Sequence, residues 1–236
     1  MNVSRQSSAE AVSRAAADLV VARTRAKPKL VMALPTGRTP IPFYADLQAR
    51  HLRGESNLAA ASAFNLDELI LPPEDPRTFR SFMQRHAWQK IGLARERCLI
   101  PNALAADPEA ECARYEAAIA AAAGLDLAVL GVGTDGHVAY NMPGPVGRLT
   151  HVIHLPDELA ASLDVPPQDR PLRAITMGLE TLQRAREIVI MATGESKAAP
   201  LRALLGADRD PERWPCTYLA DHPALTLLLD PAAAGD

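Results

Sequence analysis

The sequence predicts an α/β fold, a single domain over residues 1–236 whose mostly parallel sheet is flanked by helices. Three observations predict it. Apolar runs of strand length alternate with longer stretches of helical periodicity along most of the chain. Glycine- and threonine-rich turns repeatedly carry an apolar run into a helix, the connection typical of parallel sheets. The 236 residues are 48% hydrophobic, enough to bury a sizeable core in one domain.

Taken in order, residues 9–25 place alanine, valine and leucine at helical spacing, and Lys27-Pro28 ends that helix before the apolar strand 29–34. A helix is expected over 40–51, a short strand over 61–66, and a helix over 77–91 anchored by Phe82, Met83, Trp88 and Ile91. Helix 109–123, strand 125–131, helix 176–185, strand 187–192 and helix 196–205 continue the alternation. Residues 217–219 and 225–229 read as closing strands, and the tail after Asp230 as frayed. Proline and glycine concentrate in 71–76, 143–147, 166–171 and 206–215, which punctuate the fold without separating domains.

A net charge of −3 offers no general basic surface for nucleic acid, so no nucleic-acid partner is expected. Cys98, Cys112 and Cys216 are odd in number, far apart and without a Cys-x-x-Cys pairing. Neither a disulfide framework nor a zinc site is indicated, and a reducing compartment suits them. The first thirteen residues are polar, and no apolar run reaches membrane-spanning length, which leads to the expectation of a soluble, cytoplasmic protein without a membrane partner. His86, His151, His154 and His222 lack metal-ligand spacing and are read as structural; no metal is expected. Ser81 and Ser196 lack a nucleophile elbow.

The chemistry concentrates in four segments. In Asp126-Leu-Ala-Val-Leu-Gly131-Val-Gly133-Thr-Asp135-Gly136-His137 an apolar strand runs into a glycine-rich turn that carries one acid and one imidazole, a candidate acid/base pair. Leu34-Pro35-Thr36-Gly37-Arg38-Thr39-Pro40 puts hydroxyls, a cation and free amides at a helix N-terminus, which suits a phosphate. Such a turn also has a purely backbone reading, because glycine and threonine serve tight turns. A second turn of this kind, Thr193-Gly194-Glu195-Ser196-Lys197, adds the point charge of Lys197. Two anion-friendly turns at one sheet edge point to a phosphorylated small molecule. Finally, Phe64-Asn65-Leu66-Asp67-Glu68 ends a strand in adjacent carboxylates. Asp67 is the candidate base for removing a proton from carbon beside a carbonyl, with a helix cap as the competing reading.

These motifs, with Ser81-Phe-Met83, Ala139-Tyr-Asn141 and His222-Pro223, resemble the glucosamine-6-phosphate deaminase (isomerase) family, which shares a fold group with 6-phosphogluconolactonases. The similarity covers nearly the whole chain, and Asn65–Glu68 with Ala139–Asn141 is similar to the deaminase branch. What the resemblance implies is a Rossmann-like fold of the sugar-phosphate isomerase type. Thr36, Gly37, Arg38, Thr39 and Lys197 would hold the sugar phosphate, and Glu68 and Gly136 would join the substrate-binding set. Asp67 would move a proton between C1 and C2 of an open-chain amino sugar, while His137, oriented by Asp135, would assist ring opening. No cofactor is implied.

The chain departs from the family in two places. The family's Asn-Glu-Pro is Asn141-Met142-Pro143, where a thioether replaces a carboxylate that supports the histidine. The arginine usual in the segment after this loop has no match in the acidic His154-Leu-Pro-Asp-Glu158, although Arg38 stands where a serine is common. Two other functions remain open. A lactone hydrolase would use His137 to activate water, and a non-catalytic sugar-phosphate binder would have no use for the Asp135/His137 pair. Helical periodicity does not separate packing within the domain from packing against a second copy, so a homo-oligomer stays open as well.

Overall fold

The computed structural model of the chain describes residues 1–207 and 209–235. In chain order the elements are β1 (Asn2–Arg5), α1 (Ala9–Ala26), β2 (Val31–Leu34), α2 (Ile41–Leu52), β3 (Ser62–Asn65), β4 (Asp67–Leu69) and α3 (Phe79–His86). Next come β5 (Cys98–Leu99), α4 (Pro108–Ala121), β6 (Leu127–Gly131), β7 (His151–His154), α5 (Asp157–Ser162) and β8 (Arg173–Thr176). The chain closes with α6 (Leu179–Gln183), β9 (Glu187–Ala192), α7 (Ala198–Leu205), β10 (Leu225–Leu229) and α8 (Pro231–Ala234).

Seven strands form one parallel sheet in the order β1-β10-β9-β6-β2-β3-β5. Both of its faces are covered, as the continuous burial of β2 requires. Met32 and Leu34 enter one core with Phe43, Tyr44 and Met83, while Val31 and Ala33 enter the other with Tyr115, Leu182 and Leu204. From β2 the chain moves outward through β3 to β5; from β6 it moves the opposite way through β9 to β10. The strand order therefore reverses between β2 and β6, and the crevice above their carboxyl ends is where open α/β sheets bind ligands.

A second sheet, β4-β8-β7, is antiparallel and unanticipated. Its β8 occupies residues that precede and begin the helix expected over 176–185, which shrinks to Leu179–Gln183. The cause is tertiary pairing: Thr176 stands opposite both Asp67 and His151, and only extended backbone meets both partners. The helix expected over 77–91 stops at His86, and Trp88–Ile91 tightens into a 3₁₀ turn that seats Trp88 and Ile91 in the same core as Met83. Residues 217–219 belong to a 3₁₀ turn, Pro215–Leu219, not a strand; Thr217 Oγ1 bonds back to Trp214 O at 2.8 Å. The tail is helical rather than frayed, because the Asp230 side chain caps α8 through Ala233 N at 2.8 Å and Pro231 fits its first turn. Strands β1 and β5 escape sequence reading, being four and two residues long with weak apolar content.

Candidate active site

All four candidate segments leave the carboxyl ends of adjacent strands: Thr193–Lys197 follows β9, Gly133–His137 follows β6, Thr36–Thr39 follows β2, and Asp67 follows β3. Parallel register puts them at one sheet edge, around the point where the strand order reverses.

The turn after β2 reaches its helix through Gly37, whose φ of +105° is a conformation that side chains rarely adopt. Tyr44 OH donates to Pro35 O at 2.6 Å and pins the turn to the first turn of α2. Among the described residues the amides of Gly37, Arg38 and Thr39 donate to no protein acceptor, and the exposed Arg38 guanidinium makes no ion pair. A helix N-terminus with free amides and a free cation can hold an anion.

Across the crevice, Gly194 N is held by both carboxylate oxygens of Asp230 at 3.0 and 3.1 Å, so the residue that caps α8 also shapes the turn carrying Lys197. Lys197 is half-buried and without an ion pair among the described residues. Burial lowers its pKa, and the Asp135 carboxylate partly offsets this.

Asp67 is only 5% exposed, and its Oδ1 has no hydrogen-bond partner. Burial pushes its pKa up to about 8; the neighbouring Glu68 carboxylate adds to the rise and the Thr36 hydroxyl opposes it. Thr36 thus joins the anion-binding turn to this carboxylate. Such a group is a base poised near neutral pH, which general base catalysis needs.

In the turn after β6, His137 Nδ1 lies 2.7 Å from Asp135 Oδ1, with His137 N at 3.2 Å from the same oxygen. Burial works against the charged Asp135, but the hydrogen bond and charge of His137 outweigh it and keep the carboxyl below its usual range. A carboxylate on Nδ1 fixes the imidazole's orientation and leaves Nε2 for chemistry. Among the described residues Asp135 is the carboxylate bonded to His137, while Met142 packs its half-buried side chain against the core. Space for this pair comes from Gly133, where a Cβ would overlap the imidazole.

Two members of the expected substrate-binding set are turned to other work. Strand alternation sends Glu68 away from Asp67, and its carboxylate accepts from the amides of Leu69 (2.8 Å), Phe79 (2.7 Å) and Arg80 (2.9 Å). Glu68 anchors α3 and borders a separate cavity of about 200 Å³ with Leu71, Thr78, Arg80 and Asn102. Gly136 uses its N–H on Gly133 O (3.1 Å) and its carbonyl on Cys216 N (2.8 Å), so it shapes the turn with no donor left for a ligand. Residues without a predicted role also enter. Thr176 Oγ1 accepts the Tyr140 N–H at 2.9 Å, and the Tyr140 ring lies 6.3 Å from that of His137. Thr176 was hidden in an expected helix, and Tyr140 carried no signal beyond its place in the motif.

Of the histidines read as structural, His151 Nδ1 lies 2.8 Å from Leu149 O and His222 Nε2 lies 2.8 Å from Ala185 O. Among the described residues no three His, Cys, Asp or Glu side chains gather as a metal-binding group, and no helix is long and apolar enough to cross a membrane.

Residues 4–227 match the family described as glucosamine-6-phosphate isomerases/6-phosphogluconolactonase. The glucosamine-6-phosphate deaminase of Shouchella clausii is 36% identical over 239 residues, covering 99% of this chain and 96% of that protein. That of Beutenbergia cavernae is 37% identical over 224 residues, 92% and 85% of the two chains. A solved structure of a monomeric glucosamine-6-phosphate deaminase superposes with a TM-score of 0.92 at 32% identity, covering 100% of this chain and 99% of that one. The 6-phosphogluconolactonase of Leishmania guyanensis, at 21% identity and a TM-score of 0.81 over 99% and 97% of the chains, shares the fold. With the match running through nearly the whole sheet and all four site turns, the chain belongs to the family of glucosamine-6-phosphate isomerases and 6-phosphogluconolactonases.

Proposed function

We propose that the protein is a sugar-phosphate aldose/ketose isomerase of the glucosamine-6-phosphate deaminase type, converting an amino-sugar 6-phosphate and water to a ketose phosphate and ammonia. The observation that carries this reading is Asp67, a buried carboxylate with an unpartnered oxygen and a pKa near 8, beside a turn suited to phosphate.

The free amides of residues 37–39, Arg38 and Lys197 hold the phosphate, which fixes the far end of the sugar. His137, oriented by Asp135, passes the proton from the C1 hydroxyl to the ring oxygen and opens the ring. Asp67 then takes the C2 proton. Its electron pair forms the C1–C2 double bond while the carbonyl electrons move onto O1, which takes a proton from solvent. Asp67 returns its proton to C1 as the nitrogen lone pair forms the C2 iminium. Water adds there, passes one proton to the nitrogen and releases the other to solvent in place of the one O1 took up, and ammonia leaves as the C2 carbonyl forms. The open-chain carbonyl acidifies C2, so carboxylate and imidazole suffice for the steps assigned to this chain.

Ammonia and fructose-6-phosphate release from glucosamine-6-phosphate by the purified protein tests the reading, with Asp67→Asn as control. Turnover that disappears in the variant supports it. Binding of the phosphosugar without turnover defeats it and makes a lactone the next substrate to try, since a lactone hydrolase needs His137 and no carbon base.

A further inference from the structure

Three tyrosines surround Asp67 closely enough for its charge to oppose their ionisation: Tyr44, Tyr115 and Tyr140. Two are spent on the scaffold, with Tyr44 OH on Pro35 O (2.6 Å) and Tyr115 OH on Asn65 O (2.9 Å). The phenol of Tyr140 has no acceptor among the described residues, yet it is not among the sealed, unpartnered polar atoms. Its hydroxyl is therefore open while the residue as a whole is 8% exposed.

The ring is held from several sides. Ala139 is left-handed at φ +51°, a strained state for a residue with a Cβ, and it turns the chain so that Asn141 N meets Val138 O at 3.1 Å. The Asn141 side chain clamps this turn through Val138 O (2.9 Å) and Met177 O (2.8 Å). Tyr140 N is fixed by Thr176, the residue opposite Asp67 in the β4–β8 pairing. Its ring packs 5.6 Å from Phe79, whose own amide is bound by Glu68, and 6.3 Å from His137. Strain and clamps that hold one open hydroxyl in the neighbourhood of a candidate base and a candidate imidazole serve binding better than folding, because a phenylalanine would pack equally well.

We infer that Tyr140 is a further catalytic residue, whose hydroxyl donates a hydrogen bond to the C1 oxygen of the open-chain sugar as that oxygen gains charge. The inference rests on the deaminase reading, in which O1 is the atom that becomes negative when Asp67 takes the C2 proton. A preorganised donor at such an oxygen acts mainly on the transition state. Burial, and then the Asp67 and Glu68 carboxylates, push the phenol's pKa well up, so it stays protonated and does not compete with Asp67 as a base.

The test compares wild type with Tyr140→Phe in ammonia release from glucosamine-6-phosphate, with Tm and inorganic phosphate binding as controls. The expected result is a fall in kcat of about 10²-fold, the scale for loss of one oxyanion donor, with KM, Tm and phosphate affinity within about threefold or a few degrees of wild type. A fall in kcat of less than about tenfold overturns the inference while leaving the deaminase reading intact. A wild type that releases no ammonia overturns both. If Tyr140→Phe does not fold, Thr176→Val removes the anchor and keeps the phenol, and it must give the same kcat-against-KM split.

Discussion

Thr176 faces Asp67 across the antiparallel β4–β8 pair and holds the backbone N–H of Tyr140 with its hydroxyl at 2.9 Å. One threonine thereby links the buried carboxylate of one sheet edge to the turn that carries His137. If this link acts through Tyr140, the effects of Thr176→Val and Tyr140→Phe on kcat overlap. Each single variant slows turnover, and the double variant is little slower than the worse of the two, with a coupling on the order of 1 kcal/mol or more. A double-mutant cycle on kcat checks this; simple additivity would mean that Thr176 acts elsewhere.

The pH profile follows from two groups shifted towards neutrality from opposite sides. Asp67 works as a base only when deprotonated, and its pKa of about 8 puts the acid limb of kcat/KM far above that of an ordinary carboxylate. Lys197 holds phosphate only when protonated, and burial lowers its pKa, so KM rises at alkaline pH earlier than for an exposed lysine. Lys197→Met is expected to raise KM about ten- to a hundredfold, the scale of a charge-assisted hydrogen bond, and to remove that alkaline rise. Steady-state kinetics between pH 5 and 10 would read both limbs.

Asp67 also makes stability depend on pH. Its folded pKa of about 8 lies above the ordinary 3.8, so from about pH 4 upward the unfolded chain releases this proton while the folded protein keeps it. The native state loses stability over that window until the pH passes the folded pKa. Asp67→Asn removes this cost, and its Tm advantage over wild type should widen from pH 5 to pH 8 even as turnover is lost. Thermal denaturation at both pH values decides; an advantage that stays constant would mean that Asp67 ionises normally in the folded protein.

Glu68 offers a way to separate anchoring from substrate contact. Its carboxylate is consumed by three amides, two of them at the start of α3 and one in β4, and its charge helps raise the pKa of Asp67. Glu68→Gln should cost about 1–3 kcal/mol of stability, because at least one buried amide loses its acceptor. It should leave KM near wild type and move the acid limb of kcat/KM to lower pH, since removing a negative neighbour makes Asp67 easier to ionise. A raised KM with an unmoved limb would return Glu68 to the substrate.

The site turns were legible because each couples a strand end to glycine, threonine and a charged residue, a local pattern that survives folding unchanged. Asp67 was singled out in the sequence as the base, whereas the anchoring work of Glu68 was not legible, because it depends on where α3 begins. Gly136 was read as a ligand contact because a glycine's freedom is visible in sequence and its hydrogen-bond partners are not. Thr176 and the small antiparallel sheet were hidden for a related reason: β8 is four residues long and extended only because Asp67 and His151 flank it. Tyr140 stood in a readable motif, yet its open hydroxyl is apparent only once Tyr44 and Tyr115 are seen to be bonded elsewhere.

Gly133 carries the least visible requirement of the site. Its amide accepts no substitution of role, since its N–H donates to His137 O at 2.8 Å and its carbonyl receives the Gly136 N–H at 3.1 Å. A Cβ there would overlap Nδ1 and Cε1 of His137 and stand 2.5 Å from Asp135 Oδ1, so in Gly133→Ala either the imidazole or the whole turn must move. Displacement of about 1 Å at a reacting group costs on the order of 10² in rate, and that is the fall expected in kcat. Phosphate affinity should hold, because the anion-binding turns leave other strands, β2 and β9. In a His137→Ala background there is no ring to displace, and adding Gly133→Ala should then cost little more. Measuring kcat in both backgrounds tests this: an equal loss in each would show that the glycine serves the backbone of the turn and not the imidazole.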